Sequence, residues 1–186
     1  MSAALARIRA ALPADARAIA RVYIETWRAA YPGMLPDKVL LDMTPARQEA
    51  VWRQGLERPG RKQHAFVAEA SGGAVVGFVT SGPARPRIEG YRGEVYTLYV
   101  DLDHQGLGLG RALLAEGFRT LIASRLEPAV IWVLAENPAR FFYEAMGGSA
   151  IARRRDRLGG EAHEEVGYGW PALAAAIAPG GPCSSP

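Results

Sequence analysis

The stretch from Gly93 to Ala135 constrains this chain more than any other. "GEVYTLYVD" (Gly93–Asp101) is rich in aromatic and β-branched residues and reads as a strand. "DHQGLGLGRALL" follows, with Gly106, Gly108 and Gly110 at alternate positions. Leu113, Leu114, Phe118 and Leu121 then mark one face of a helix. "AVIWVLA" (Ala129–Ala135) is a continuous apolar run, the pattern of a strand buried on both faces. Glycine is costly where a helix is about to start, so the bare backbone calls for a reason. Amides at a helix start are unpaired and carry partial positive charge, and glycines let an anion reach them. On these residues alone, a phosphate site and a flexible surface turn both stay open.

The register of the glycines narrows the ligand. A dinucleotide fingerprint needs G-x-G-x-x-G opening a helix. Counting from Gly106, the sixth position is Arg111; counting from Gly108, it is Leu113. Neither is glycine, and no Gly-Lys-Ser/Thr triplet supplies a P-loop. NAD and ATP lose support, and another kind of nucleotide-binding domain is left as a weak reading.

The flanks supply the remaining elements. "IRAAL" (Ile8–Leu12) reads as a first strand, and Pro13 and Asp15 open a helix whose apolar stripe runs through Ala16, Ile19, Ala20, Tyr23, Trp27 and Tyr31 to Pro32-Gly33. "LPDKVLLDM" and "PARQEAVWRQGLE" read as two short helices. "HAFVAEA" (His64–Ala70), a Ser71-Gly72-Gly73 turn and "AVVGFVTSG" form a hairpin. "NPARFFYEAM" is a helix capped by Asn137 and stopped by Gly147-Gly148, and strands near Ser149–Arg155 and His163–Trp170 make a last hairpin. Hairpin, strand–helix–strand–helix, hairpin implies a mixed, mostly antiparallel sheet of six to seven strands with helices on both faces. The α/β fold is expected as one domain over 1–171, with a flexible tail over 172–186.

Composition excludes other classes. The 186 residues carry a net charge of +3, with Lys38 and Lys62 the only lysines. That mild Arg excess fits a small anionic ligand better than a nucleic-acid-tracking face. One cysteine, Cys183, closes no internal disulfide, and His64, His104 and His163 show no metal-ligand spacing. No apolar run approaches the roughly 20 residues of a membrane span. The N-terminus lacks a continuous apolar signal region, and Asp15 and Glu25 argue against a mitochondrial presequence. The expected setting is cytoplasmic, with no metal, membrane or nucleic-acid partner.

Gln105-x-x-Gly108-x-Gly110 directly after a strand resembles the acyl-CoA-binding motif of the GNAT superfamily of N-acetyltransferases, Arg/Gln-x-x-Gly-x-Gly/Ala. The resemblance extends from about Ile8 to Trp170 and takes in "EVYTLYV", "AVIWVLA" and "NPARFFYEAMGG". It implies that Gln105 and the amides of Gly106, Leu107, Gly108, Leu109, Gly110 and Arg111 cradle the pyrophosphate of acetyl-CoA. Leu98, Tyr99 and Val100 would pair their backbone with the pantetheine arm, a strand amide near Tyr99 or Val100 would face the developing oxyanion, and Asn137 would touch the arm. Arg111 and Arg140 would meet phosphates, although a solvated arginine fits either position.

Transfer of an acetyl group from a thioester to an amine needs a base, an oxyanion donor and an acid for the departing thiolate. The resemblance makes Glu94, eleven residues before Gln105, the base, often acting through water; otherwise it is a carboxylate at a strand end. It makes Tyr143 the acid, although that residue shares a core-like helical face with Ala139, Phe142 and Met146. Tyr96, on the same strand face as Glu94 by parity, and Trp27 and Tyr31, at the end of the first helix, are the candidates for lining the acceptor site. "RRRDR" (Arg153–Arg157) reads as a charged strand edge. The activity implied is N-acetyl transfer to a small amine or a protein N-terminus by direct attack in a ternary complex. The competing class is an acyl-CoA-binding sensor without catalysis. A homodimer through the last hairpin is compatible with the fold.

Overall fold

The structure, a computed structural model, describes residues 6–183. The chain runs β1 (Arg7–Ala10), α1 (Ala16–Ala30), α2 (Asp37–Leu41), α3 (Pro45–Glu57), β2 (His64–Glu69), β3 (Val75–Ile88), β4 (Tyr91–Val100), α4 (Leu109–Ala123), β5 (Ala129–Leu134), α5 (Ala139–Ala145), β6 (Ser149–Leu158), β7 (Glu161–Trp170) and α6 (Leu173–Ile177). The strands form one sheet in the order β1-β2-β3-β4-β5-β7-β6. Only β4 and β5 pair in parallel; the other neighbours are antiparallel. This is the expected mixed α/β sheet.

Both faces are covered. On one, α4 buries Leu113, Leu114, Phe118 and Leu121 against Val79, Val95 and Ile131. On the other, α1 buries Ile19 and Val22 against Val67, Val75 and Phe78, and its far end joins Tyr31 to Leu35, Leu40 and Leu134. Pro13–Asp15 make a 3-10 turn rather than the first turn of α1, because the Asp15 carboxylate accepts the Leu12 amide at 2.8 Å and is tied to Arg9.

Several elements differ from their sequence-based bounds. β1 covers Arg7–Ala10 instead of Ile8–Leu12. β3 continues through Pro83 to Ile88, where the pattern ended near Gly82. Past Ser81 it has lost β2 as a neighbour and pairs only with β4, so a proline costs no bond on the open side. β6 and β7 are longer than expected and turn through Gly159 and Gly160, both left-handed. The segment after Pro171, expected as a flexible tail, is packed over its described part. Leu173, Ala176 and Cys183 are buried in the α4-side core; residues 184–186 lie outside the described residues.

Candidate active site

β4 and β5 run together only briefly. Gly93, Glu94 and Val95 pair with Ala129, Val130 and Ile131, and there the ladder ends. Beyond it the strands diverge, β4 staying with β3 through Val100 and β5 staying with β7 through Leu134. A β-bulge accompanies the divergence: Thr80 faces Thr97 and Ser81 faces Val95, which leaves Tyr96 over. The bulge resets the parity of β4. Val95, Leu98 and Val100 all pack on the α4 side, whereas Tyr99 packs on the α1 side. Two-residue alternation therefore fails beyond Tyr96, while Tyr96 itself keeps the face of Glu94: a Cβ on Gly82, the partner of Glu94, would meet the Tyr96 hydroxyl at 2.5 Å, and Arg85 reaches both side chains.

The divergence opens a cleft of about 720 Å³. Its walls bring together Leu98, Tyr99, Val100, Gln105, Asn137 and Tyr143 with Trp27, Tyr31 and Tyr96. At the α4 end, the loop closes on β4 through the Gln105 side chain, whose Nε2 donates to the Val100 carbonyl at 3.0 Å. Gly106 and Gly108 both have φ near +80°, at +74° and +80°. A Cβ on either would meet nothing within 4 Å, so the main chain there is bare to its surroundings. Gly108 caps α4, and the amides of Leu109, Gly110 and Arg111 form its first turn, where no helical carbonyl is available to them. Leu107 is exposed and Leu109 packs into the core. The Gly110 α-carbon lies against the Phe142 ring, which seats α5 beside α4. Arg111 sits close enough to Cys183 to oppose the burial that pushes that thiol up to about 11. The Arg140 guanidinium lies 4.2 Å over the Phe141 ring.

Asn137 is buried, and its Oδ1 accepts the Ala139 amide at 2.8 Å, the capping role read from the sequence. Tyr143, from α5, is 6% exposed and lines the cleft. Burial, with Tyr31 nearby, pushes its phenol far up, so it holds its proton across physiological pH. Trp27 donates through Nε1 to the Tyr99 hydroxyl at 2.9 Å, and the Trp27 and Tyr31 rings stand 4.7 Å apart. Tyr96 touches the cleft, but its hydroxyl donates to the Pro83 carbonyl at 2.7 Å and Arg85 covers its ring at 3.7 Å.

Glu94 lies at the root of the divergence, 5% exposed, and is not among the residues that line the cleft. Its Oε2 accepts the Arg85 amide at 2.6 Å. Burial pushes the carboxyl up against the pull of the Arg85 amide and of the Arg85 and Arg154 charges, while Glu165 adds to the rise.

Two cleft residues had no sequence motif to mark them. Trp132 stands in the middle of "AVIWVLA" and lies across β7, where a Cβ on Gly167 would press its ring at 3.1 Å. Arg154 stacks on the same ring at 4.1 Å, and the Trp132 Nε1 is buried without a hydrogen-bond partner. Glu165 stands opposite Leu134 on β7, and its Oε2 accepts from Arg154 Nε at 2.6 Å. The one available cue was the aromatic in an otherwise aliphatic strand. Among the described residues no group of three or more His, Cys, Asp or Glu is placed to hold a metal, and no helix is long and apolar enough to cross a membrane.

Comparison with known proteins agrees with this geometry. The profile of the Acetyltransferase (GNAT) family matches residues 21–148. The chain is 34% identical over 168 residues to the uncharacterized N-acetyltransferase YuaI of Bacillus subtilis, spanning 90% of this chain and 94% of that one. A GCN5-related N-acetyltransferase structure from Rhodopseudomonas palustris superposes with a TM-score of 0.70 at 20% identity, covering 92% of this chain and 99% of that one. A phosphinothricin acetyltransferase from Sinorhizobium meliloti, solved with AcCoA, gives 0.65 at 22% identity over 90% and 88%. The last two share the fold.

Proposed function

This chain belongs to the GNAT acetyltransferase family and is an acyltransferase; on that premise we propose that it moves an acetyl group from acetyl-CoA to a primary amine by direct attack within a ternary complex. The observation that carries the reading is the cleft itself. Its lining reaches Gln105, the residue just before the bare main chain of Gly106–Gly108 at a helix start, and a buried phenol stands in its wall. The Sinorhizobium relative holds AcCoA on the same fold.

In this reading the Gly106–Arg111 amides receive the diphosphate, and the unpaired edge of β4 at Leu98–Val100 receives the pantetheine amides as a further strand would. Main-chain amides at Tyr99 or Val100 face the thioester oxygen. The amine nitrogen bonds to the acetyl carbon, the carbon–sulfur bond breaks, and Tyr143 gives its proton to the departing sulfur. A phenol held neutral by burial is suited to that donation. Glu94 takes the proton of the amine. Burial raises its carboxyl above the ordinary range and so makes it a stronger base than an exposed carboxylate, and from its position outside the cleft wall it takes the proton through an intervening water.

The test is a calorimetric titration of the purified protein with acetyl-CoA, desulfo-coenzyme A and NAD. Binding of acetyl-CoA at micromolar strength, about −8 kcal/mol, with no NAD binding, is the expected result. No acetyl-CoA binding overturns the reading.

A further inference from the structure

The wall facing away from the glycine loop holds one formally charged side chain among the described residues that line the cleft, Glu165. It reaches the cleft from β7, opposite Leu134, on the face occupied by Tyr31 and Leu158. The position is built rather than incidental. Arg154 holds Oε2 at 2.6 Å from the neighbouring strand and is itself laid over the Trp132 ring. Gly167 leaves room for that ring, since any side chain there would press on it. The carboxylate is thus held by a guanidinium at a wall that also carries indole and phenol rings, and among the described residues no lysine, arginine or histidine lines the cavity.

A wall of aromatic rings around a single carboxylate selects a cation. Ring faces attract ammonium groups and repel anions, and a carboxylate accepts charge-assisted hydrogen bonds from them. We propose that Glu165 is the residue that receives the ammonium of the acceptor, and that the acceptor is a primary amine on an apolar stem with no carboxylate beside the amine. This deepens the acetyl-transfer reading and rests on it. An α-amino acid would set its own carboxylate next to Glu165. Its natural counter-ion there, Arg154, is already bonded to Glu165 and stacked on Trp132.

The experiment uses matched amine and amino-acid pairs, phenethylamine with phenylalanine and tryptamine with tryptophan. Each is titrated into the coenzyme-A-loaded protein and assayed by thiol release from acetyl-CoA. We expect each amine to bind, and to exceed its amino acid at least tenfold in kcat/KM. Glu165→Gln should raise the amine KM at least tenfold with the acetyl-CoA Kd unchanged, and Glu165→Asp should recover part of the loss. Because acetyl-CoA binding reports an intact fold in both variants, a misfolded protein cannot imitate this result. Failure of both amines to bind the loaded protein, an unchanged amine KM in Glu165→Gln, or preference for the amino acids overturns the assignment while leaving acetyl transfer standing. Failure of the wild type to bind acetyl-CoA overturns the parent reading and the assignment with it.

Discussion

Beside the α4 end of the cleft the surface is main chain: two left-handed glycines just past Gln105, the first turn of a helix, and the edge of β4 that β5 leaves unpaired beyond Val95. At the β7 end it is side chain: Trp132, Glu165, Tyr31 and Trp27, contributed by three elements far apart in sequence. The first kind of site recognises what is constant in a ligand, a diphosphate and a run of amides, and tolerates variation in its own side chains. The second recognises what is particular, and each substitution changes it. A chain that pairs one invariant donor with one chosen acceptor has reason to build its two ends differently.

Substitutions at the two ends should then have separable effects. The largest is expected from Gly108→Glu. It forces a side chain into a left-handed conformation, which costs roughly 1–2 kcal/mol, and places a negative charge where a diphosphate must sit. Acetyl-CoA affinity should fall by about 100-fold or more, with amine binding preserved. Normal acetyl-CoA binding in that variant would mean that the glycine loop is not the donor site, and the contrast between the ends would collapse.

Tyr143 and Glu94 stand between the ends and sharpen the contrast, because a group acting only on the reaction should change neither affinity. Tyr143→Phe should lower kcat by about 100-fold with the acetyl-CoA Kd held. For Glu94, the folded carboxyl titrates above its ordinary value. With Glu94 as the proposed base, activity should rise as pH climbs through that raised value and the carboxyl loses its proton. Glu94→Gln should remove the acid limb of kcat/KM along with most of the rate. A Glu94→Gln profile that keeps the wild-type acid limb would move the base elsewhere, with Glu165 the next carboxylate to test.

The smallest effect tests a residue that belongs to both ends. The Tyr99 backbone is proposed to meet the donor, and its hydroxyl accepts from Trp27 Nε1 at 2.9 Å. Tyr99→Phe removes the acceptor of the indole N–H and should cost about 1–3 kcal/mol of unfolding free energy, leaving acetyl-CoA affinity within about twofold. A much larger loss of affinity would show that the side chain, not only the main chain, serves the donor.

The same division explains what could be read from the sequence. The α4 end was legible because main-chain recognition needs glycine at fixed spacing, and Gln105, Gly108 and Gly110 leave that spacing in the string. The order of elements along the chain followed from period and turn residues. The β7 end of the cleft was only half legible. Trp27 and Tyr31 were within reach as the end of an amphipathic helix, but Trp132 and Glu165 come together through the pairing of β5 with β7, a contact between distant segments that leaves no local pattern. The bulge at Tyr96 is the same case, since its existence depends on the partner strand and it overrules the parity that β4 shows when read alone. The packing of Cys183 and α6 was hidden for another reason: an alanine-, glycine- and proline-rich segment looks unstructured until the surface it covers is known.

The β6–β7 hairpin has a bearing on descent. Its turn at Gly159-Gly160 rests on Val39, and Leu158 packs with Leu40 and Tyr31, so the hairpin closes over the acceptor end and latches to α2. The stretch that carries the family signature stops at residue 148, one position before β6 begins. The cleft end proposed for the acceptor thus draws on both sides of that boundary, Trp27, Tyr31 and Trp132 from within the matched stretch and Glu165 from the hairpin beyond it. On the role proposed for Glu165, exchange of the hairpin alone would be a short evolutionary route, and a practical one for the engineer, to a new clientele served by unchanged chemistry.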